Sequence, residues 1–422
     1  MHFQKTLQYA QHLDQQDPLK DYRNKFHFPK INSKEVIYFT GNSLGLQPKN
    51  AKKYVDEIMT DWAELAVEGH FQAEKPWWDY HERFSQKLAP IVGAKPTEVG
   101  VMNTLTVNLH LLMVSFYRPT KQRYRIIMEE KAFPSDQYMI ASQVRFHGLD
   151  PEEVIVEVKK REGEHHFRTE DILSKINEVG EECALVLMGG VNYYSGQVLD
   201  METITKAGKG VGAFVGWDLA HAAGNVELKL HEWEVDFASW CSYKYMNSGP
   251  GNVSGFFVHD QYHGQKDIPR FEGWWGHNKE RRFLMEPDFQ PEPDSNAWQI
   301  SNAPVIAQAP HLASLEYFEE VGMPALINKR DKIVAYLEFI LQEVAKEVGG
   351  DFEIITPKER GTQLSVFLHG QGKELFHYLM KNGVITDWRE PNVIRLAPAP
   401  FYCSFEDMWR FGMVLKEYFI EN

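Results

Sequence analysis

Residues 217–244 read WDLAHAAGNVELKLHEWEVDFASWCSYK, and the rest of the chain is organised around them. The apolar run from Ala213 to Trp217 predicts a buried strand that stops at Asp218, with His221 three residues on. A second run, Val235 to Trp240 with Asp236 inside it, delivers Lys244 within Ser242-Tyr243-Lys244-Tyr245. The 26 residues from Asp218 to Lys244 accommodate a connection and one more strand. A carboxylate at one strand end and a lysine after the next is the pair that pyridoxal phosphate needs. The amine forms a Schiff base with the aldehyde, and the carboxylate keeps the pyridine nitrogen protonated so that the ring acts as an electron sink. That lysine must lose its proton to attack, which burial or a nearby positive charge promotes. Alone, Lys244 reads as a surface lysine and Asp218 as a helix cap. Together, and with the motifs around them, they favour the cofactor.

Upstream, strands and helices alternate. Tyr124–Met128, Val154–Val158 and Ala184–Met188 read as strands, Ile172–Val179 as a helix, and Phe133-Pro134-Ser135-Asp136 opens another helix. This alternation predicts a mostly parallel sheet covered on both faces, with ligands bound beyond the carboxyl ends of its strands. Phe133, Asn192, Tyr193, Asp218 and Lys244 all follow apolar runs and could meet at that edge. Val101–His110 places hydroxyls and Asn103 where a helix starts, and a helix N-terminus binds phosphate through free N–H groups. Thr104 or Thr106 as an N-cap is compatible with the same use. No GxxxxGK[ST] loop is present; Gly208–Gly212 reads as the end of a helix.

Residues 1 to about 35 are polar and read as an arm, followed by a short strand at Val36–Phe39 and by Gly41-Asn42-Ser43-Leu44-Gly45, whose glycines allow close approach to a small ligand. His70 reads equally as a substrate contact or a loop histidine. Gly273-Trp274-Trp275-Gly276 suggests either a contact with a ring or another subunit, or a buried core pair. A domain boundary falls near 325. Beyond it, strands at Leu364–Leu368, Val384–Ile385 and Val393–Leu396 precede a closing amphipathic helix. Arg395 alternates with apolar residues on a strand, where it needs an anion: a bound carboxylate or a structural acid.

The 422 residues carry a net charge of −14, which disfavours nucleic acid as a partner. Three separated cysteines with no CxxC argue against a disulfide framework and a thiolate zinc site. The N-terminal stretch has no apolar signal region, and no run approaches a membrane span, so a cytoplasmic enzyme is expected.

In order along the chain, GNSLGLQP, NTLTVNLH, FPSD, YYSGQ, WDLAHAAGN, CSYKYMNSGPG, EGWWGH, ISNAP and IRLAPAP resemble the kynureninase family, over residues 35–420. The resemblance implies an α/β, aminotransferase class V-like fold (fold type I). Its large domain, 51–320, would hold a seven-stranded-type, mostly parallel sheet. A smaller α+β domain would span 321–422, with an arm at 1–50 packed on it. It implies pyridoxal phosphate on Lys244, with Asp218 at the pyridine nitrogen beside His221 and Phe133 stacked on the ring. Leu105, Thr106 and Tyr243 would hold the phosphate, joined by Trp274 across a homodimer interface. Asp136 would lie near the cofactor, Asn302 at cofactor and substrate, Ser43 and His70 at the substrate, and Arg395 at its α-carboxylate. No metal is implied. The implied reaction is hydrolysis of L-kynurenine, and of its 3-hydroxy form, to alanine and the anthranilate, with Tyr243 as proton donor, in tryptophan catabolism or NAD biosynthesis. The rivals are an aminotransferase or cysteine desulfurase of the same fold, and a cofactor-binding protein without turnover.

Overall fold

The computed structural model describes residues 2–370 and 372–421. Its centre is a seven-stranded sheet: β1 (Val99–Met102), β2 (Arg125–Glu129), β3 (Ile155–Val158), β4 (Cys183–Gly189), β5 (Phe214–Asp218), β6 (Phe237–Trp240) and β7 (Ser254–Val258). Their spatial order is β1-β7-β6-β5-β4-β2-β3. Only β7 runs antiparallel to its neighbours, β1 and β6; the other pairs are parallel. The central strands are buried along nearly their whole length, which explains their continuous apolar runs. The parallel strands bring Glu129, Gly189, Asp218 and the Trp240–Lys244 turn to one edge. Gly189 is in register with Asp218, and Asp218 with Ser239.

A second, four-stranded antiparallel sheet contains Phe352–Ile354, Leu364–Leu368, Asp387–Arg389 and Val393–Leu396. The expected strand near Val36–Phe39 joins this half of the molecule. Ile37–Tyr38 pairs in parallel with Val384–Ile385, and the Ala397 N–H donates to the Phe39 carbonyl at 2.8 Å. This pairing sets Ser43 against Arg395. The Leu7–Gln16 helix packs on the closing Phe405–Glu421 helix.

The glycines of the 41–45 turn are required by close contacts within the protein, while Asn42, Ser43 and Leu44 between them line a cavity at the carboxyl edge of the sheet. A Cβ on Gly45 would lie 2.5 Å from the Lys244 carbonyl oxygen and 2.1 Å from Asn247 Oδ1, and one on Gly41 would lie 3.0 Å from Tyr402 Oη. The Gly45 N–H donates to the Tyr243 carbonyl at 2.9 Å. The missing side chain therefore lets the N-terminal turn clamp the lysine loop.

Candidate active site

A cavity of about 630 Å³ opens at the carboxyl edge of the sheet, a size ordinary for a small-molecule site. Ser43, Leu105, Thr106, Phe133, Asp136, Asp218, His221, Tyr243, Lys244 and Arg395 line it, so ten of the sequence-predicted residues meet there. Tyr193 lines it too, edge-on to Phe133 with ring centroids 5.2 Å apart. Asn192 does not. Its Oδ1 accepts the Tyr194 and Ser195 N–H groups at 3.1 and 2.9 Å, which makes it a turn residue.

At the closed end stand two carboxyls. Asp218 ends β5, and its Oδ1 accepts the Ala220 N–H at 2.7 Å. Asp136, in the first turn of the Pro134–Phe146 helix, is hydrogen-bonded to it. Burial, followed by the charge on Asp218, holds the Asp136 carboxyl far above its usual range; burial also raises Asp218, while the bond from Asp136 opposes that rise. Burial thus disfavours charging both carboxyls, and the bond from Asp136 favours the charged form of Asp218. A buried anion is costly unless a cation compensates it; the Lys244 charge does so as a lesser cause, and a protonated ring nitrogen would add to it.

Lys244 Nζ lies 3.0 Å from His221 Nε2. Burial, then the Lys244 charge, holds the His221 ring well below the usual histidine range, so it is neutral. Its Nδ1 is buried without a hydrogen-bond partner.

Opposite the carboxyls, Leu105–Phe116 starts a helix. Its N-cap, Thr104, makes no side-chain capping bond, and both Thr104 and Thr106 face the cavity. Asn103 turns the chain at φ 45°, and Asn108 pins the turn through Met102 O at 2.9 Å. An uncapped helix start leaves N–H donors and a partial positive charge for an anion. Pyridoxal phosphate fits these three features: an amine, an anion at the closed end, and a phosphate-sized donor set.

Arg395 is 1% exposed, and the structural-acid reading is the one its contacts meet. It faces the cavity and also pairs with Asp387, its cross-strand neighbour, which takes Ser43 Oγ–H and, at 2.8 Å, Arg389 as well. Its Nη1 donates to the Tyr193 carbonyl at 2.7 Å.

Three predicted residues lie outside the cavity of a single chain. His70 sits on the Gly69–Gln72 turn against Trp77, Trp274 is 42% exposed, and Asn302 is exposed beyond the sheet. Of the Trp pair, Trp274 is the exposed member and Trp275 the core member, at 1%.

Sequence reasoning missed Glu129, Asp387 and Arg389. Glu129 lines the cavity, 5% exposed, and accepts the Gly189 N–H at 3.1 Å. It ends a strand run as Asp218 does, and that shared position was the available signal. Asking which acid neutralises a buried arginine would have led to Asp387.

All three cysteines are buried, and burial raises their thiols, Cys183 to about 12. None has the exposed, ionisable setting a desulfurase nucleophile requires. Among the described residues no helix is long and apolar enough to cross a membrane.

The fold is that of pyridoxal-phosphate enzymes of fold type I. The chain superposes on a cysteine desulfurase from Thermococcus onnurineus with TM-score 0.77 at 17% identity, covering 96% of this chain and 98% of that one. A C-DES variant with glycine covalently linked to its PLP cofactor matches with TM-score 0.74 at 14% identity, over 90% and 96% of the two chains. The family model described as the kynureninase C-terminal domain matches residues 330–415. Over the whole chain, kynureninase of Christiangramia forsetii is 76% identical, with 99% of each chain covered. Kynureninase of Myxococcus xanthus is 52% identical, with 98% of this chain and 97% of that one covered. With identity this high running from end to end, the chain belongs to the kynureninase family.

Proposed function

We propose that the protein hydrolyses L-kynurenine to anthranilate and L-alanine, with pyridoxal phosphate held in the cavity and its lining side chains in the roles that follow. The observation that carries this is the convergence, in one cavity, of Lys244, the Asp136–Asp218 pair and an uncapped helix start. When bound, pyridoxal phosphate supplies an electron sink.

The helix start at Leu105 and Thr106, with Tyr243 beside it, holds the phosphate. Asp218 would face the ring nitrogen, with the hydrogen bond from Asp136 favouring its charged form. Phe133 covers the ring face. Arg395, fixed by Asp387 and the Tyr193 carbonyl, binds the α-carboxylate. Lys244 takes the Cα proton, and the neutral His221 beside it accepts a hydrogen bond without adding positive charge. Tyr243, whose phenol burial keeps protonated, supplies the proton Cβ needs when its bond to the ketone carbon breaks.

The second copy enters through His70, Trp274 and Asn302. His70 and Trp274 belong to one chain of ring contacts through Phe71 and Trp78, at 6.3, 5.9 and 6.3 Å. Phe71, Phe283, Leu284 and Met285 are each more than half exposed, and Phe283 stacks on Trp78. An exposed apolar patch of this kind marks an interface. A homodimer that covers it would offer these residues to the partner's cavity. The arm 1–50 and residues 321–422 form the smaller unit, 51–320 the larger; the contact of the first and last helices supports that division.

Incubation with kynurenine and no keto acid tests the activity. Equal amounts of alanine and anthranilate are expected; turnover only with an added acceptor would favour the aminotransferase. Lys244→Ala is expected to lose both anthranilate fluorescence and the visible band of the lysine-bound cofactor. For the shared site, inactive Lys244→Ala and Asn302→Ala chains are unfolded together and refolded. If each cavity draws on both chains, about a quarter of wild-type activity returns through mixed dimers; no recovery would sink the shared cavity.

A further inference from the structure

At the far end of the sheet from Lys244, four side chains with metal-binding atoms converge from separate connections. Glu98 precedes β1, His231 lies in the connection before β6, and His259 and Asp260 follow β7. Pairing of Val99 with Phe257 and of Val258 with Phe237 puts these three connections side by side. His231 Nδ1 is 2.8 Å from Glu98 Oε1. His259 Nδ1 is 3.8 Å from the same oxygen and 3.1 Å from Asp260 Oδ1. The four ligating atoms all lie within 4.8 Å of one another, and the two imidazoles stack with centroids 4.9 Å apart.

Each residue has an ordinary partner. Glu98 is fully buried, caps its own turn through the Lys95 N–H at 2.8 Å, and accepts the Asp260 N–H at 2.9 Å. His259 Nδ1 accepts the Gln261 N–H at 3.2 Å, and Lys95 Nζ pairs with Asp260 at 2.6 Å. The Gln261 contact orients His259 through Nδ1 alone. Its ring is 8% exposed, with Nδ1 turned to the cluster and Nε2 buried without a hydrogen-bond partner. The ring thus presents Nδ1 to Glu98 and Asp260 while Nε2 stays unpaired.

A tetrahedral Zn²⁺ with bonds of about 2.0–2.1 Å to nitrogen and oxygen sets its ligand atoms roughly 3.3–3.5 Å apart. The three contacts of 2.8, 3.1 and 3.8 Å bracket that spacing. Two imidazole nitrogens and two carboxylate oxygens suit first-row transition cations; Mg²⁺ and Ca²⁺ prefer oxygen alone. The backbone bonds to Glu98 supply the orienting outer contacts that such sites use. Side chains of His231 and Asp260, 31% and 33% exposed, leave a way in.

We propose that Glu98, His231, His259 and Asp260 form a binding site for a divalent transition-metal ion of the Zn²⁺ class, remote from the cavity, that ties together three connections at the amino end of β6. Binding at His231 Nδ1 replaces its contact with Glu98, with the imidazole N–H on Nε2, and the metal takes the place of the Gln261 contact at His259.

The test is calorimetric titration of EDTA-treated, pyridoxal-phosphate-loaded protein with ZnCl2, and separately with MgCl2, together with melting curves. The expected result is one Zn²⁺ bound per chain with a raised melting temperature, no heat from Mg²⁺, and turnover untouched by EDTA. His231→Asn and Asp260→Asn, both at half-exposed positions, should each weaken Zn²⁺ binding at least ~10-fold while keeping the cofactor's visible band, which reports folding. Absence of stoichiometric binding, or binding undiminished in both variants, would overturn the proposal.

Discussion

Replacing Glu129 with Gln isolates the cost of burying a third carboxyl beside Asp136 and Asp218. Burial, with repulsion from Asp218 as a lesser cause, pushes Glu129 up from 4.5 to about 7. A carboxyl raised in the folded chain binds its proton more tightly there than when unfolded. Its contribution to stability is therefore complete below about pH 4.5 and is lost as the pH rises to about 7. At about 1.4 kcal/mol per pH unit, the loss across that window is about 3 kcal/mol. Gln keeps the shape and an acceptor for the Gly189 N–H but cannot ionise. Urea denaturation of the cofactor-stripped proteins at pH 4.5, 5.5, 6.5 and 7.5 should show Glu129→Gln gaining about 3 kcal/mol on wild type across the series. The charge-dependent part of the Gly189 bond is already contained in the shift of Glu129, and only the shape change of the substitution is constant with pH, so the slope carries the result. In an Asp218→Asn background the slope should shrink without vanishing, because burial is the larger cause. A difference constant with pH would refute the reasoning.

Gly45→Ala should loosen the lysine loop, because its Cβ would fall 2.5 Å from the Lys244 carbonyl oxygen; dialysis followed by absorbance should show faster cofactor loss than in wild type. Arg395→Lys cannot reproduce the fork that meets both Tyr193 O and Asp387. Breaking such a buried pair costs about 2–5 kcal/mol, so kcat/KM for kynurenine should fall at least ~30-fold. His81 is buried and its ring is pushed down from 6.5 to about 4 by burial, then by Arg282. A depressed histidine gives stability that is present above pH 6.5 and lost toward pH 4, about 3 kcal/mol in all. His81→Gln, which can still accept the Trp275 Nε1–H, should therefore lose less melting temperature than wild type between pH 7 and 4.5.

What could be read from the chain alone divides along a physical line. Strands buried on both faces announce themselves as unbroken apolar runs, so β4 and β5 and the groups at their ends, Asp218 among them, were legible. The Leu105–Phe116 helix start was legible because capping chemistry is local. Pairings between distant segments leave no such trace. The strand at Ile37–Tyr38 looks the same whether it joins the large sheet or, as found, Val384–Ile385, yet that choice brings Ser43 to Arg395. Asp387 reads as a polar turn residue until the register sets it opposite Arg395. Glycine is ambiguous in the same way: sequence says that something comes close to Gly45, and only the fold says that it is the backbone of Lys244. His70, Trp274 and Asn302 carry the ambiguity one level further. Their exposure on a single chain has no internal explanation, since burying Trp274 and Phe71 would be favourable. A ring left in water forgoes the free energy that burial would return, so these positions point to an interface, and under the proposed homodimer a second copy would cover them and deliver the side chains that one cavity lacks.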